Sequence, residues 1–365
     1  MRPTSCEIDL GAIAHNVGVL TKVASPAALC AVVKADGYGH GAAPVARTAL
    51  DAGASSLAVA LVEEGIELRG ASIDAEILLL SEPPVDGMTD VVRHHLVPSL
   101  YTPAGVEALA GAAAGSGRVV EVEVCVDTGM RRVGASPTEL PRLVDLIAAD
   151  PALRLRGVWS HCPVADEPGN PFTEEQIMSL DALVSTLEIE HRHLGNTAFT
   201  IDHATGGHDL VRVGIGIYGI DPSPALAGRY DLRPALSLHS AVSFIKPLQA
   251  GDGVGYGHRW HASEPTTIAT VPVGYADGVR RDLGLRGGEV LIRGRRHPIV
   301  GVVTMDQLMV DVGDHSVMVG DDVVLIGEQG QEKITANEIA ELLDTIGYEI
   351  VCAIGKRVPR HHRSA

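Results

Sequence analysis

Aromatic side chains are scarce. Phe, Trp and Tyr make up 3% of the 365 residues, so Ala, Val, Leu and Ile must fill the core. Positive charge is short as well: 29 Lys and Arg against 46 Asp and Glu leave a formal net charge of −17. That balance argues against a nucleic-acid partner and against anionic membrane surfaces. No apolar run approaches the length of a membrane span, and Met1–Ser5 carries no apolar segment of the secretory kind. The five cysteines, Cys6, Cys30, Cys125, Cys162 and Cys352, are odd in number and scattered, with no CxxC pair. Structural zinc and a disulfide framework are disfavoured, no metal is expected, and the cytosol is the simplest location. There is no internal repeat and no low-complexity tract.

What is present is an alternation. From residue 27 onward, short β-branched runs bounded by Gly or Pro exchange with helical patterns. The expected strands are Ala27–Lys34, Ser56–Leu61, Glu76–Leu80, Leu96–Leu100, Val119–Asp127, Leu153–His161, Thr197–Thr205 and Asp209–Tyr218. The helical patterns are Ala42–Ala52, Val62–Arg69, Val85–His94, Pro103–Ala114, Leu140–Ala149 and Thr173–Glu190. Eight parallel strands with intervening helices predict an α/β fold, a (β/α)8 TIM barrel. The seventh connection, Gly206-Gly207-His208, is too short for a helix and is expected to be a trimmed element. After Gly219 the composition shifts. Asp221-Pro222-Ser223-Pro224 reads as a linker, and the remainder reads as strands with one helix near Thr335–Ile346, a C-terminal mainly-β domain.

Function in a barrel gathers at the carboxyl ends of its strands. The first strand ends in Lys34, within Cys30-Ala31-Val32-Val33-Lys34-Ala35-Asp36-Gly37-Tyr38-Gly39-His40-Gly41. An ammonium at the mouth of a buried strand is costly, and the amine suits imine chemistry. Alone, the stretch reads better as a strand-turn-helix joint whose lysine reaches to water. The fifth strand ends in Asp127-Thr128-Gly129-Met130-Arg131-Arg132, and the sixth in His161. The eighth carries Arg212-Val213-Gly214-Ile215-Gly216. Each has a plain structural reading, but together a lysine, a glycine-rich cradle, a histidine and arginines at one mouth suggest pyridoxal phosphate.

The chain resembles the alanine racemases, the fold-type III pyridoxal-phosphate enzymes. The matching segments, in the family's order, are Ala31–Gly41, Asp127–Met130, Ser160-His161, Leu210–Arg212, Gly216–Gly219, Gly253–Gly257, Pro272–Gly278, Met305–Gln307 and Arg357–Arg360. The resemblance implies a homodimer with shared sites that interconverts L- and D-alanine, supplying D-alanine for peptidoglycan. It implies that Lys34 holds the cofactor and acts as one base. Tyr275 of the partner subunit is then the other base, aided by His161. Arg212 would face the pyridine nitrogen. Arg132 and Met305 would bind the substrate carboxylate. Tyr38, Thr205, Gly214, Ile215 and Lys356 would hold the phosphate. It also divides the chain into an N-terminal strand, 1–10, packing with the β domain; a barrel domain, 11–233; and the β domain, 234–365.

Four positions depart from the family pattern. Cys125 stands where many members carry a carbamylated lysine. Arg131 replaces a small or amide residue, and could crowd the substrate or add a second carboxylate ligand. Ala204-Thr205 appears for the Asn-Ser phosphate pair, and Lys356 for a tyrosine. These departures motivate a second reading, a racemase of another amino acid such as serine in a specialised pathway. A fold-type III decarboxylase would lack Tyr275 as a base, and a non-catalytic homologue that binds the cofactor or an inhibitor would not need both Lys34 and Tyr275.

Overall fold

The structure is a computed structural model that describes residues 2–203 and 208–364. It divides into two compact units. One comprises Ile13–Gly37 and Gly41–Arg233; the other comprises Met1–Ala12, Tyr38–His40 and Pro234–Ala365.

The first unit is a barrel of eight parallel strands: β2 (Ala28–Val32), β3 (Ser56–Val59), β4 (Ile77–Leu79), β5 (Val97–Leu100), β6 (Val120–Cys125), β7 (Leu153–Trp159), β8 (His191–His193) and β9 (Leu210–Val213). The strands pair in chain order from β2 to β8, and β9 returns to pair with β2. Two backbone bonds close the ring, from Asp209 N to Arg192 O (3.0 Å) and from Arg212 N to Gly195 O (2.9 Å). Most strand residues are buried because helices cover the outside and side chains fill the inside, as parallel barrels require. Of the twelve largest fully buried side chains among the described residues, only Tyr218 and Phe199 are aromatic; the others are Ile, Leu and Met.

The seventh strand lies elsewhere than expected. It is His191–His193, three polar residues, and Thr197–His203 is a helix. Asn196 decides this locally: its Oδ1 accepts the Phe199 N–H at 3.0 Å and its carbonyl accepts the Thr200 N–H at 3.0 Å, an N-cap that overrides the β-branched composition of Thr-Ala-Phe-Thr-Ile. The helix expected over Thr173–Glu190 runs Phe172–Val184. The seventh connection is therefore a helix, and Gly206-Gly207 lies outside the described residues.

The second unit is built on a ten-stranded sheet. Here β1 (Ser5–Asp9) lies between β10 (Leu236–Ala241), antiparallel, and the strand Arg360–Arg363, parallel. The opening strand thus takes its hydrogen bonds from the far end of the chain. Among the described residues no helix is long and apolar enough to cross a membrane.

Candidate active site

Lys34 follows the carboxyl end of β2 and is half-buried. The chain then makes a left-handed turn: Ala35, Asp36, Gly37 and Tyr38 all have φ between 52° and 60°. For the three non-glycine residues this costs about 1–2 kcal/mol each. Side chains hold the turn against that cost. The Glu64 carboxylate accepts the Ala35 N–H at 2.6 Å through one oxygen. Through the other it accepts the N–H groups of Ala60 (2.8 Å) and Leu61 (3.1 Å) at the end of β3. Asp36 Oδ1 accepts the Ala42 N–H at 2.8 Å. Glu64→Ala is expected to lower unfolding stability by about 2 kcal/mol, from three charge-assisted bonds partly replaced by water. Urea denaturation measures this, and an unchanged midpoint would show that the turn holds itself.

Further round the mouth, His161 follows β7. Arg212 on β9 is buried, and its guanidinium lies 4.5 Å from the Trp159 ring centroid. It donates to the carbonyls of Ser160 (2.8 Å) and Leu194 (3.2 Å), to His193 Nδ1 (2.6 Å) and to His161 Nδ1 (3.2 Å). Burial, with the charges of Arg212, Arg132 and Lys34, pushes the His161 pKa down to about 3, so the ring is neutral. Its Nδ1 accepts, so Nε2 carries the proton.

Arg132 sits exposed on the loop after β6. Asp127 shapes that loop by accepting the N–H groups of Gly129 (2.8 Å) and Arg131 (3.1 Å). The Arg131 guanidinium is exposed, 3.7 Å from the Asp127 carboxylate. Cys125 is buried, and burial pushes its thiol up to about 12, so it carries no charge there.

The glycine-rich run after β9 has a partner that was not expected. Thr197 Oγ1 accepts the N–H groups of Gly214 (3.1 Å) and Gly216 (3.3 Å), which leaves its own proton to donate. Ile215 lies between them. A Cβ at Gly216 would sit 2.7 Å from Thr197 Cγ2, so the hydroxyl reaches these amides only past a glycine. The hydroxyl assigned from sequence, Thr205, lies outside the described residues. Asn196-Thr197 is itself an amide-hydroxyl pair beside the glycine-rich run; the misplaced seventh strand hid it.

In the second unit, Tyr275 and Met305 are both exposed and lie on adjoining loops, joined by bonds from Tyr275 N to Thr304 O (2.9 Å) and from Ala276 N to Met305 O (3.1 Å). Beneath them Asp277 is buried. It accepts two bonds from Arg2 at 2.8 Å and the Gly274 N–H at 3.0 Å, and Arg357 approaches at 3.4 Å. Asp277→Ala would leave the Arg2 and Arg357 charges without this partner, and a loss of about 3 kcal/mol is expected. Thermal unfolding tests it; a melting temperature equal to that of the unaltered protein would refute the role. Tyr38 is buried beside Tyr348, with ring centroids 6.2 Å apart. Gly39 next to it (φ 79°) admits no Cβ, which would fall 2.6 Å from the Val351 carbonyl oxygen. Lys356 is exposed on the turn closed by Val358 N to Gly355 O (3.1 Å).

The barrel unit thus gathers Lys34, Arg132, His161, Arg212, Gly214 and Ile215 at its strand ends. Tyr275 and Met305 are together in the second unit. Glu64, Glu123, His193 and Thr197 were not anticipated. The signal for Glu123 is a carboxylate in mid-strand, within Val-Glu-Val-Glu-Val-Cys, where a charge must find a partner.

Comparisons with known proteins fit this arrangement. The family profile "Alanine racemase, N-terminal domain" matches residues 8–222, and "Alanine racemase, C-terminal domain" matches residues 235–362. The alanine racemase of Symbiobacterium thermophilum is 45% identical over 368 residues, spanning 99% of this chain and 97% of that one. That of Cutibacterium acnes is also 45% identical, spanning 98% and 97%. Among solved structures, alanine racemase from E. faecalis superposes with a TM-score of 0.95 at 37% identity, covering 99% of this chain and 98% of the other. The enzyme from D-cycloserine producing Streptomyces lavendulae gives 0.95 at 36% identity, covering 100% and 98%.

Proposed function

The chain belongs to the alanine racemase family and is an amino-acid racemase, an isomerase; on that premise we propose that it interconverts L- and D-alanine with pyridoxal phosphate, as a homodimer using two bases. The observation that carries this reading is the cluster at the barrel mouth, where Lys34 shares its surroundings with a neutral His161 and the guanidiniums of Arg132 and Arg212.

The residues present fit the cofactor. Lys34 offers an amine. The Thr197 hydroxyl, with the Gly214 and Ile215 backbone, offers donors for a phosphate, and Tyr38 and Lys356 add to them in this reading. Arg212 offers a fixed, permanently charged donor for a ring nitrogen. When bound, pyridoxal phosphate supplies an electron sink that makes the Cα hydrogen of an amino acid removable.

The chain's own groups then divide the work. Lys34 holds the cofactor, and its amine takes and returns the Cα proton on one face. Tyr275 of the partner subunit serves the other face. Inversion needs a base on each side, because a single base would return the proton to the face it left. A free tyrosine has a pKa near 10. In this reading the Nε2–H of His161, whose Nδ1 accepts from Arg212, donates to that phenolic oxygen and favours its ionised form. Arg212 keeps its own protons, so it would hold a ring nitrogen as an acceptor without protonating it; that would moderate the electron sink the cofactor supplies and restrain side reactions at Cα. Arg132 and the backbone N–H of Met305 of the partner subunit bind the substrate carboxylate, and neutral Cys125 leaves the Arg132 loop to be ordered by Asp127 instead. In this reading the barrel domain is 11–233, and the strand at 1–10 joins the β domain, 234–365, which carries Tyr275. The setting is cytoplasmic, with D-alanine passing to peptidoglycan.

The test is deuterium incorporation at Cα from D2O, with L- and D-alanine supplied separately. Incorporation with inversion is expected from both; no exchange from either removes the proposal. A survey of kcat/KM across small amino acids is expected to rank alanine first.

A further inference from the structure

Glu123 takes no part in the chemistry above, yet it is a carboxylate only 1% exposed in the middle of a barrel strand. Across the sheet it stands in register with Gly157 of β7, and Gly157 with His191 of β8. A Cβ at Gly157 would lie 3.2 Å from Glu123 Oε1 and 2.7 Å from the His191 carbonyl oxygen, so the glycine leaves the space the carboxylate occupies. Glu123 Oε2 meets His193 Nε2 at 2.9 Å, and Oε1 lies 3.6 Å from His191 Nδ1. On the far side of the His193 ring, Arg212 approaches Nδ1 at 2.6 Å. An arginine can only donate, so Nδ1 accepts, the ring proton is on Nε2, and that proton points at Glu123.

The charges are consistent with this geometry. Burial holds His193 down at about 4, so its ring is neutral. Burial alone would raise the Glu123 carboxyl, but His193 and His191 beside it outweigh that and keep it below the usual carboxylate range. Burial also opposes the charge of Arg212. The groups that offset it are Cys125, Cys30, Cys162 and Glu123. The three thiols are pushed up to about 12 by burial and are neutral, which leaves Glu123 as the ionised partner. Arg156 on β7 also feels the Glu123 charge, but it is bonded to Glu76.

We infer that Glu123 is a positioning residue for the racemase site: through His193 it fixes the imidazole tautomer that lets Nδ1 accept from Arg212, and it supplies the counter-charge to that buried guanidinium. The inference rests on the racemase reading above. Without an acceptor at Nε2 the ring is free to place its proton on Nδ1. Two donors then face each other at Nδ1, and the guanidinium must turn away from the position in which it also holds His161.

Glu123→Leu removes acceptor and charge, whereas Glu123→Gln keeps an acceptor and removes the charge. The readouts are kcat and KM for alanine, and the dissociation constant of pyridoxal phosphate from fluorescence titration of the apoprotein. For Glu123→Leu, kcat is expected to fall ~50-fold with KM within ~3-fold, and cofactor binding to weaken ~10-fold. Glu123→Gln is expected to recover most of the kcat loss while leaving a loss of at least ~3-fold. In a His193→Leu background, adding Glu123→Leu is expected to cost less than ~3-fold in kcat, because the two residues act as one unit. Wild-type kcat and cofactor affinity in Glu123→Leu would overturn the inference, as would equal kcat losses from Glu123→Leu with and without His193. If Glu123→Leu does not fold, Glu123→Gln decides: unchanged kcat and cofactor affinity overturn it. Failure of the racemase reading is distinguishable, because the unaltered protein would then show no Cα exchange from alanine.

Discussion

Replacing Lys34 with alanine is expected to lower alanine racemisation by at least ~10⁴-fold, since on the proposed mechanism one residue both anchors the cofactor and moves a proton. It should also abolish covalent capture of the cofactor. Borohydride reduction of the unaltered protein, followed by proteolysis and mass spectrometry, should find pyridoxal phosphate on the peptide containing Lys34. The variant should carry none. Capture at another lysine, or retained activity, would sink the assignment. The backbone around Lys34 is held from several sides. Glu64 ties Ala35 to the end of β3, Asp36 caps the helix starting at Ala42, and Gly37 N returns to Val33 O at 2.9 Å. A left-handed turn over three non-glycine residues survives only where its surroundings over-determine it, and such strain gathers at functional sites.

The strand before Lys34 is legible in the sequence because it is apolar, short and bounded by Pro26 and Gly37. The same pattern serves β3 to β7, where β-branched runs end within two residues of the observed strands. It fails at β8 for a physical reason. His191-Arg192-His193 is a strand by its place in the barrel, not by its composition. Register beside β7 and the ring closure at Arg192 and Gly195 make it one. The apolar, β-branched segment just after it looks more like a strand and is a helix, because Asn196 caps it. That one misreading hid the Thr197 hydroxyl, which meets the Gly214 and Gly216 amides. It also concealed His193, whose partners Glu123 and Arg212 lie 70 residues before and 19 after it in the chain. Partnerships of that span are set by folding and leave no local periodicity. Glu64 was invisible for a related reason: on a helix it reads as an ordinary first-turn acid, while in the structure it binds a turn that ends 26 residues earlier, at Tyr38.

Tyr275→Phe should separate the two faces of the reaction. The substitution keeps the ring and removes one hydroxyl, and the loop is held by backbone bonds and by Asp277, so the fold should be unaffected. Because L- and D-alanine are equal in free energy, kcat/KM must fall by the same factor in both directions; a loss of ~10³-fold is expected for removal of one proton-transfer group. The asymmetry appears in exchange instead. D-Alanine should still exchange its Cα hydrogen with solvent through Lys34, within ~10-fold of the unaltered rate, while exchange from L-alanine falls with racemisation. Equal exchange losses from the two enantiomers would count against the assignment of faces. The same variant also tests whether the site is shared. If each site takes Lys34 from one protomer and Tyr275 from its partner, Lys34→Ala and Tyr275→Phe subunits are each inactive alone. Mixed and allowed to reassort, half the dimers are hybrids. Each hybrid has both faults in one site and neither in the other, so about a quarter of all sites regain full activity. A site built from one protomer gives no recovery at any mixing ratio, and that outcome would place Tyr275 and Lys34 of each active site on a single chain.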